Sequence, residues 1–321
     1  MKVLITGGAG FLGRRLAEAV LMRGALAGAD GAQSAVDEVV LLDQTAAPAT
    51  GDPRVRVVAA DLMADGVLES AIDADTHAIF HLAAVVSGGA EADFDLGMRV
   101  NLDATRRLLD LCRARGHEPR VVFASSVAVF GGALPDVVPA AQALNPQSSY
   151  GTQKAIGELL LDDYSRRGFV DGRSVRLPTI VVRPGRPNAA MSSFASGIIR
   201  EPLSGEPSVC PVSRGTRLWL LSPAKAIECF IAVHDAPASA FGTTRVVNLP
   251  GISVSVDEMV AALVRVGGQE AADRIRWELD PRIEQVAGGW PAALETSKAR
   301  ALGLPGNENF DEIIREYLAT R

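Results

Sequence analysis

The 321 residues carry a formal charge of −6, with 48% hydrophobic and 22% charged side chains. That balance excludes disordered and fibrous classes, and a net negative chain has no electrostatic reason to bind nucleic acid or an acidic membrane surface. The length suits one large domain or two interlocked ones acting on a small molecule, and Cys112, Cys210 and Cys229 are too scattered, with no paired histidines, to make a metal site.

The chain opens with MKVLITGGAG, which runs from an apolar strand into glycine too early for a secretory signal, and no apolar run is long enough to span a bilayer. The expected location is therefore the cytoplasm, with the three cysteines as core thiols. Lys2 to Thr6 reads as a buried strand, followed by a turn with Gly7, Gly10 and Gly13 and then an amphipathic helix with Leu16, Ala17, Val20 and Leu21 at helical spacing. A strand, a glycine turn and a helix in that order predict a dinucleotide site. Small residues let the backbone approach a pyrophosphate, and the helix start, at Phe11 and Leu12, offers free amides.

A second strand, Glu38 to Asp43, ends in an acid placed to hold an adenosine ribose and repel a 2′-phosphate, which predicts NAD over NADP. Asp43 lies thirty positions beyond Gly13 where about twenty is usual, so the Ala/Gly/Asp-rich stretch from Gly24 to Asp37 reads as an inserted loop. The plainer alternative is that Asp43 is a strand-end turn residue. A third strand, Arg54 to Ala60, is closed by Asp61 and Leu62, suited to the adenine edge, with Asp61 equally able to cap the next helix. The fourth, Ala78 to Ala84, ends in Leu82, Ala83 and Ala84, where a flat ring can pass close to the backbone. His81 within it reads as a structural histidine, because a general base must first reach its proton.

A helix from about Phe94 to Arg115 carries Asn101, and the fifth strand, Arg120 to Ser126, ends in two hydroxyls at the edge where doubly wound sheets bind ligands. Twenty-four residues later Tyr150-Gly-Thr-Gln-Lys154 opens a helix running to Tyr164. Tyrosine and lysine four apart share one helical face. In isolation such a pair is an ordinary surface contact, but at a ligand edge an ammonium beside a phenol favours the phenolate and makes a base. A further strand, Ser174 to Val182, leads into Arg183-Pro-Gly-Arg-Pro-Asn188, which cannot be regular structure. Five alternations of strand and helix before residue 165 predict an α/β fold with a Rossmann-type doubly wound parallel sheet.

TGGAGFLG, Asp43, Asp61-Leu62, HLAA, Ser125-Ser126 with VAVFG, and YGTQK, in this order, resemble the extended short-chain dehydrogenase/reductase family, which includes nucleotide-sugar epimerases and dehydratases. The likeness is strong over the N-terminal half and looser beyond it. It implies Ser126, Tyr150 and Lys154 as the catalytic trio, Asn101 supporting the proton path and lying by the cofactor, and the segment from Val182 to Pro184 beside the nicotinamide. The run from Arg183 to Leu203 is similar to the D-erythronate dehydrogenase group. That resemblance implies oxidation of the 2-hydroxyl of a four-carbon sugar acid to the 2-oxo acid, with hydride passing to NAD. A nucleotide-sugar epimerase or dehydratase is the alternative.

A sugar acid needs a carboxylate anchor, for which arginine's planar fork is best matched. Arg186, Arg200 and Arg217 are the candidates, each equally able to be a surface salt bridge; Arg183 reads as structural. Ser87, Ser192 and Ser193 are the expected hydroxyl contacts. The motifs place an NAD-binding domain at residues 1–187 and 218–248, and a smaller, partly discontinuous substrate cap at 188–217 and 249–321 with Trp277, Trp290 and a Phe310 to Tyr317 helix in its core. Dimerisation is an expectation from the resemblance alone.

Overall fold

Lys2–Thr6 (β1) is buried at every position, as a strand covered on both faces must be. It sits inside a seven-stranded sheet in a computed structural model that describes residues 1–185 and 190–320. The other strands are Glu38–Asp43 (β2), Val55–Ala59 (β3), Thr76–His81 (β4), Arg120–Ser126 (β5), Asp171–Leu177 (β6) and Val246–Asn248 (β7). All pair in parallel, in the order β7-β6-β5-β4-β1-β2-β3. The chain builds outward from β1 to β3, then crosses back to place β4 on the other side. This reversal opens a crevice at the carboxyl ends of β1 and β4.

Alternation along the strands decides which helices cover which face. Val3, Ile5, Val39 and Leu41 point toward Phe11–Arg23 (α1) and a later helix, while Leu4, Val40 and Leu42 point toward Ala104–Arg115 (α2) and Ser149–Arg166 (α3). Helix α1 ends at Gly24, whose φ of 72° suits a left-handed cap and whose amide donates to Val20 O. The insertion that follows is an ordered hairpin, Ala25–Ala27 against Gln33–Ala35, where the composition suggests a loop. It is pinned by Ala27 N–H to Asp235 Oδ1 at 2.9 Å and by Arg120 Nη1 to Ala27 O at 2.8 Å. Lying after the C-terminus of α1, it sits at the end of the sheet away from the crevice.

Two expected elements are divided. The long helix from Phe94 is interrupted by a π-helical turn, Met98–Asp103, before α2 begins, and Asn101 lies in that turn. The expected strand from Ser174 to Val182 breaks at Pro178, which has no N–H for the ladder. Beyond it Thr179–Ile180 leaves the main sheet and pairs with Arg217–Leu221, itself antiparallel to Ile252–Ser255. The fourth strand also ends earlier than its apolar run, at His81, leaving Leu82 to Ala84 as a loop.

Around that small sheet a second core forms from Ser193–Leu203 (α4), Val256–Gly267 (α6) and Phe310–Leu318 (α7), with Pro223–Asp235 (α5) on the main sheet between them in sequence. A reciprocal cap starts α6, Ser255 Oγ accepting from Glu258 N–H while Glu258 Oε2 accepts from Ser255 N–H. Among the described residues, no helix is long and apolar enough to cross a membrane.

Candidate active site

The crevice is a cavity of about 670 Å³. Its nucleotide-side wall is backbone-rich. A Cβ on Gly7, already at a φ of 71°, would lie 2.8 Å from Ala83 N, and one on Gly13 would lie 2.1 Å from Gly7 O. Gly10 has no side chain to cap α1, so the first-turn amides around Phe11 and Leu12, which line the cavity, have no side-chain partner among the described residues. Close-approach glycines beside uncapped amides fit a pyrophosphate.

Asp43 stands at the rim, its Oδ2 accepting from Ala9 N–H at 3.0 Å and its Oδ1 from Thr45 N–H at 3.2 Å. Asp61 and Leu62 line the same end, and a backbone hydrogen bond from Met63, then one from Arg99, holds the Asp61 carboxyl below its ordinary range. These residues fit an NAD adenosine. Arg99, which also lines the cavity, was not singled out by its motif position.

Leu82, Ala83 and Ala84 form the floor. They are carried by a relay of hydrogen bonds through β4. Ala83 N–H donates to Thr6 Oγ1 at 3.2 Å, Thr6 Oγ1 contacts His81 Nδ1 at 2.7 Å, and His81 Nε2 contacts Thr105 Oγ1 at 2.9 Å. Thr105 Oγ1 donates to Asn101 O, so it must accept from His81 Nε2–H, which leaves Nδ1 to accept from Thr6. That fixes one neutral tautomer, and burial, aided by the charge of Lys154, pulls the imidazole down to about 3. Asn101 itself does not reach the cavity. Its amide is spent on the loop after the relay, Oδ1 accepting from Val85 N–H at 2.7 Å and Nδ2 donating to Val85 O and Gln153 Oε1.

Ser126, Tyr150 and Lys154 line the cavity together. Ser126 closes β5 and its Oγ accepts from Ala128 N–H at 3.1 Å, which leaves the hydroxyl proton for another partner. Helix α3 starts where Ser148 Oγ accepts from Gly151 N–H, and it can approach the turn after Ser126 only because residue 151 is glycine: a Cβ there would lie 2.1 Å from Ala128 O. Lys154, 1% exposed, has its Nζ 4.6 Å from the Phe123 ring centroid and 5.7 Å from that of Tyr150. Burial pushes the Tyr150 phenol up to about 12 against a hydrogen bond with Ser126. Burial likewise pulls Lys154 down to about 7 against the attraction of Glu158. Glu158, one turn further along α3, is held by Arg176 at 2.7 Å and by Ser125 Oγ.

The substrate-side wall departs further from expectation. Ser192 lines the cavity, as does Ser87, whose Oγ accepts from Met191 N–H at 3.2 Å. Ser193 begins α4 outside the lining, and Pro184 is exposed away from it. Arg217 is not at the cavity: as the first residue of its strand it turns outward to Ser253 O at 3.1 Å and Glu258 Oε2 at 3.0 Å. Arg200 is a buried residue of α4 itself, donating to Arg183 O at 2.7 Å and to Glu201 Oε1 at 2.5 Å. Arg186 lies outside the described residues. Among the described residues of this wall, the arginine that lines the cavity is Arg183, together with Met191 and Trp290, the latter expected only in the cap's core. Nothing in spacing separates Arg183 from its neighbours; Trp290, a lone aromatic in AGGWPAA, was a legible signal.

Comparison with known proteins follows the same lines. The NAD dependent epimerase/dehydratase family profile matches residues 3–239. A D-erythronate dehydrogenase of Cupriavidus necator is 60% identical over 318 residues, covering 99% of this chain and 98% of its own. Another, of Haemophilus influenzae, is 45% identical over 320 residues, 99% of each chain. A solved structure described as the nucleoside-diphosphate-sugar epimerase from Agrobacterium tumefaciens superposes with a TM-score of 0.92 at 43% identity, covering 99% of this chain and 94% of that one.

Proposed function

Because the chain belongs to the NAD dependent epimerase/dehydratase family, we propose that it oxidises the 2-hydroxyl of D-erythronate, or a closely related four-carbon sugar acid, to the 2-oxo acid. The observation that carries this reading is the pair of relatives named D-erythronate dehydrogenase, matched along nearly the whole chain and therefore across both walls of the cavity. NAD, when bound, supplies the hydride acceptor. In this reading the glycine turn, Asp43, Asp61 and Leu62 hold the nucleotide, and Asp43 sets the preference for NAD over NADP. Residues 1–187 and 218–248 serve the cofactor, and residues 188–217 and 249–321 close over the substrate.

Oxidation must remove a proton from oxygen as a hydride leaves carbon. Tyr150 takes the proton, and Ser126 donates to the substrate oxygen and orients it. Partial burial of the phenol opposes its ionisation, so a cation beside it is what favours the base. Lys154 on the next turn is that cation, and Glu158 behind it favours the protonated amine.

The test is to follow NADH absorbance with purified protein, NAD and a panel of four-carbon sugar acids. D-erythronate should give the largest kcat/KM. The solved relative described as an epimerase favours one other reading, in which hydride is returned to a nucleotide sugar. No net NADH from any acid, with turnover of a nucleotide sugar, would establish that reading instead.

A further inference from the structure

We propose that Arg183 is the socket for the substrate's carboxylate. The proposal rests on the sugar-acid reading above and gives it an anchor that Arg200 and Arg217, each paired with a glutamate, do not supply. The main chain of Arg183 is clamped onto α4 from both sides, its N–H donating to Ser196 Oγ at 3.1 Å and its O accepting from Arg200 Nη1 at 2.7 Å. The same residue lines the cavity.

Its Nη2 is buried and has no hydrogen-bond partner among the described residues. Nor, among those residues, does any carboxylate lie within ion-pairing distance of the guanidinium, whereas Arg200 and Arg217 each hold a glutamate, Glu201 and Glu258. Two cations thus share this corner with one engaged carboxylate. Burial, then the charge of Arg200, lowers the affinity of Arg183 for its proton. A buried cation without a counter-ion is costly, and the cost is removed by an anion that arrives with matching geometry. A carboxylate accepts two parallel N–H bonds from a guanidinium fork. Ser87 and Ser192 line the same cavity and suit the hydroxyls of a polyhydroxy acid. Glu91, also on its wall, is tied to Ser149 N–H at 3.0 Å and leaves the cationic corner uncompensated.

The experiment compares the wild type with Arg183→Gln and Arg183→Lys, by steady-state kinetics at saturating NAD, NADH binding by fluorescence titration, and oxalate binding to the NADH-loaded protein by calorimetry. For Arg183→Gln we expect KM for the sugar acid to rise roughly a hundredfold, the scale of losing a buried charged partner, while NADH affinity stays within about twofold. Arg183→Lys should recover part of the loss, since it keeps the charge but not the fork. Because the arginine has no ion-pair partner among the described residues, Arg183→Gln should unfold at the same temperature or higher, whereas a structural role would lower that temperature. An unchanged KM, or a loss of NADH affinity matching the loss of substrate affinity, overturns the proposal; the second outcome would give Arg183 to the cofactor phosphates. If the wild type oxidises no sugar acid, the functional reading fails by itself. Oxalate then decides the socket: binding by wild type but not by Arg183→Gln upholds it, and equal or absent binding rejects it.

Discussion

The two walls of the cavity are built by different means. The nucleotide side is made of main chain brought close by missing side chains, as where Gly13 meets Gly7 and Gly7 meets Ala83. The substrate side is made of side chains carried by irregular segments, Arg183, Met191, Ser192 and Trp290. Main-chain proximity is enforced by residue type at fixed spacing and tolerates little change. Side-chain lining depends on which way each residue turns, so a neighbour of the same type can point elsewhere, as Arg217 does.

If the walls differ in this way, substitutions on them should differ in kind. The largest effect belongs where the walls meet: Tyr150→Phe should lower kcat by about a thousandfold, in the range of general acid–base catalysis, with NADH affinity retained. Full turnover in that variant would remove the catalytic assignment. On the nucleotide wall, Asp43→Ala should cut the ratio of NAD to NADP use by roughly tenfold or more, measured as kcat/KM for each cofactor, because it removes a carboxylate that repels a 2′-phosphate. An unchanged ratio would show that the rim is not held by this acid.

Beneath both walls, the relay through His81 should register in acid stability. The folded imidazole titrates at about 3 instead of 6.5, so the unfolded chain binds the extra proton between those values. Stability from the neutral ring is complete above about 6.5 and is lost as pH falls toward 3. In urea unfolding, His81→Asn should flatten that limb by up to ~1.4 kcal/mol per pH unit, one proton's worth. An equal slope in both proteins would mean that the ring charges freely in the folded state. The smallest effect is expected of Arg217→Ala. Its half-exposed pair with Glu258 is of a kind worth about 0–1 kcal/mol, and KM for the sugar acid should change less than about twofold. A large rise in KM would break the contrast between the walls.

This division also explains what could be read from the chain in advance. Parallel strands buried on both faces, the glycine turn, an acid closing its strand at Asp43 and the Tyr150–Lys154 spacing are local patterns, and the turn, Asp43 and the pair all line the crevice. The break at Pro178 was equally local and was obscured by the apolar run around it. Asn101 was named only through the family resemblance, and its partners Val85 and Gln153 lie 16 and 52 positions away, with no spacing rule to link them. The arginines were harder still. Arg183, Arg186, Arg200 and Arg217 are chemically identical; Arg200 is taken by its neighbour Glu201, and only tertiary packing brings Glu258, 41 positions on, to Arg217.

The hairpin between α1 and β2 has a practical consequence. Its tip, residues 29–33, is exposed, while its base is fastened to Asp235 and Arg120 at the end of the sheet opposite the cavity. A tag or reporter domain spliced into that tip would be carried on a short, anchored stem far from the cofactor and substrate. The lengthened fingerprint spacing thus supplies a handle for attaching the protein to a surface or a fluorophore while its cleft stays open.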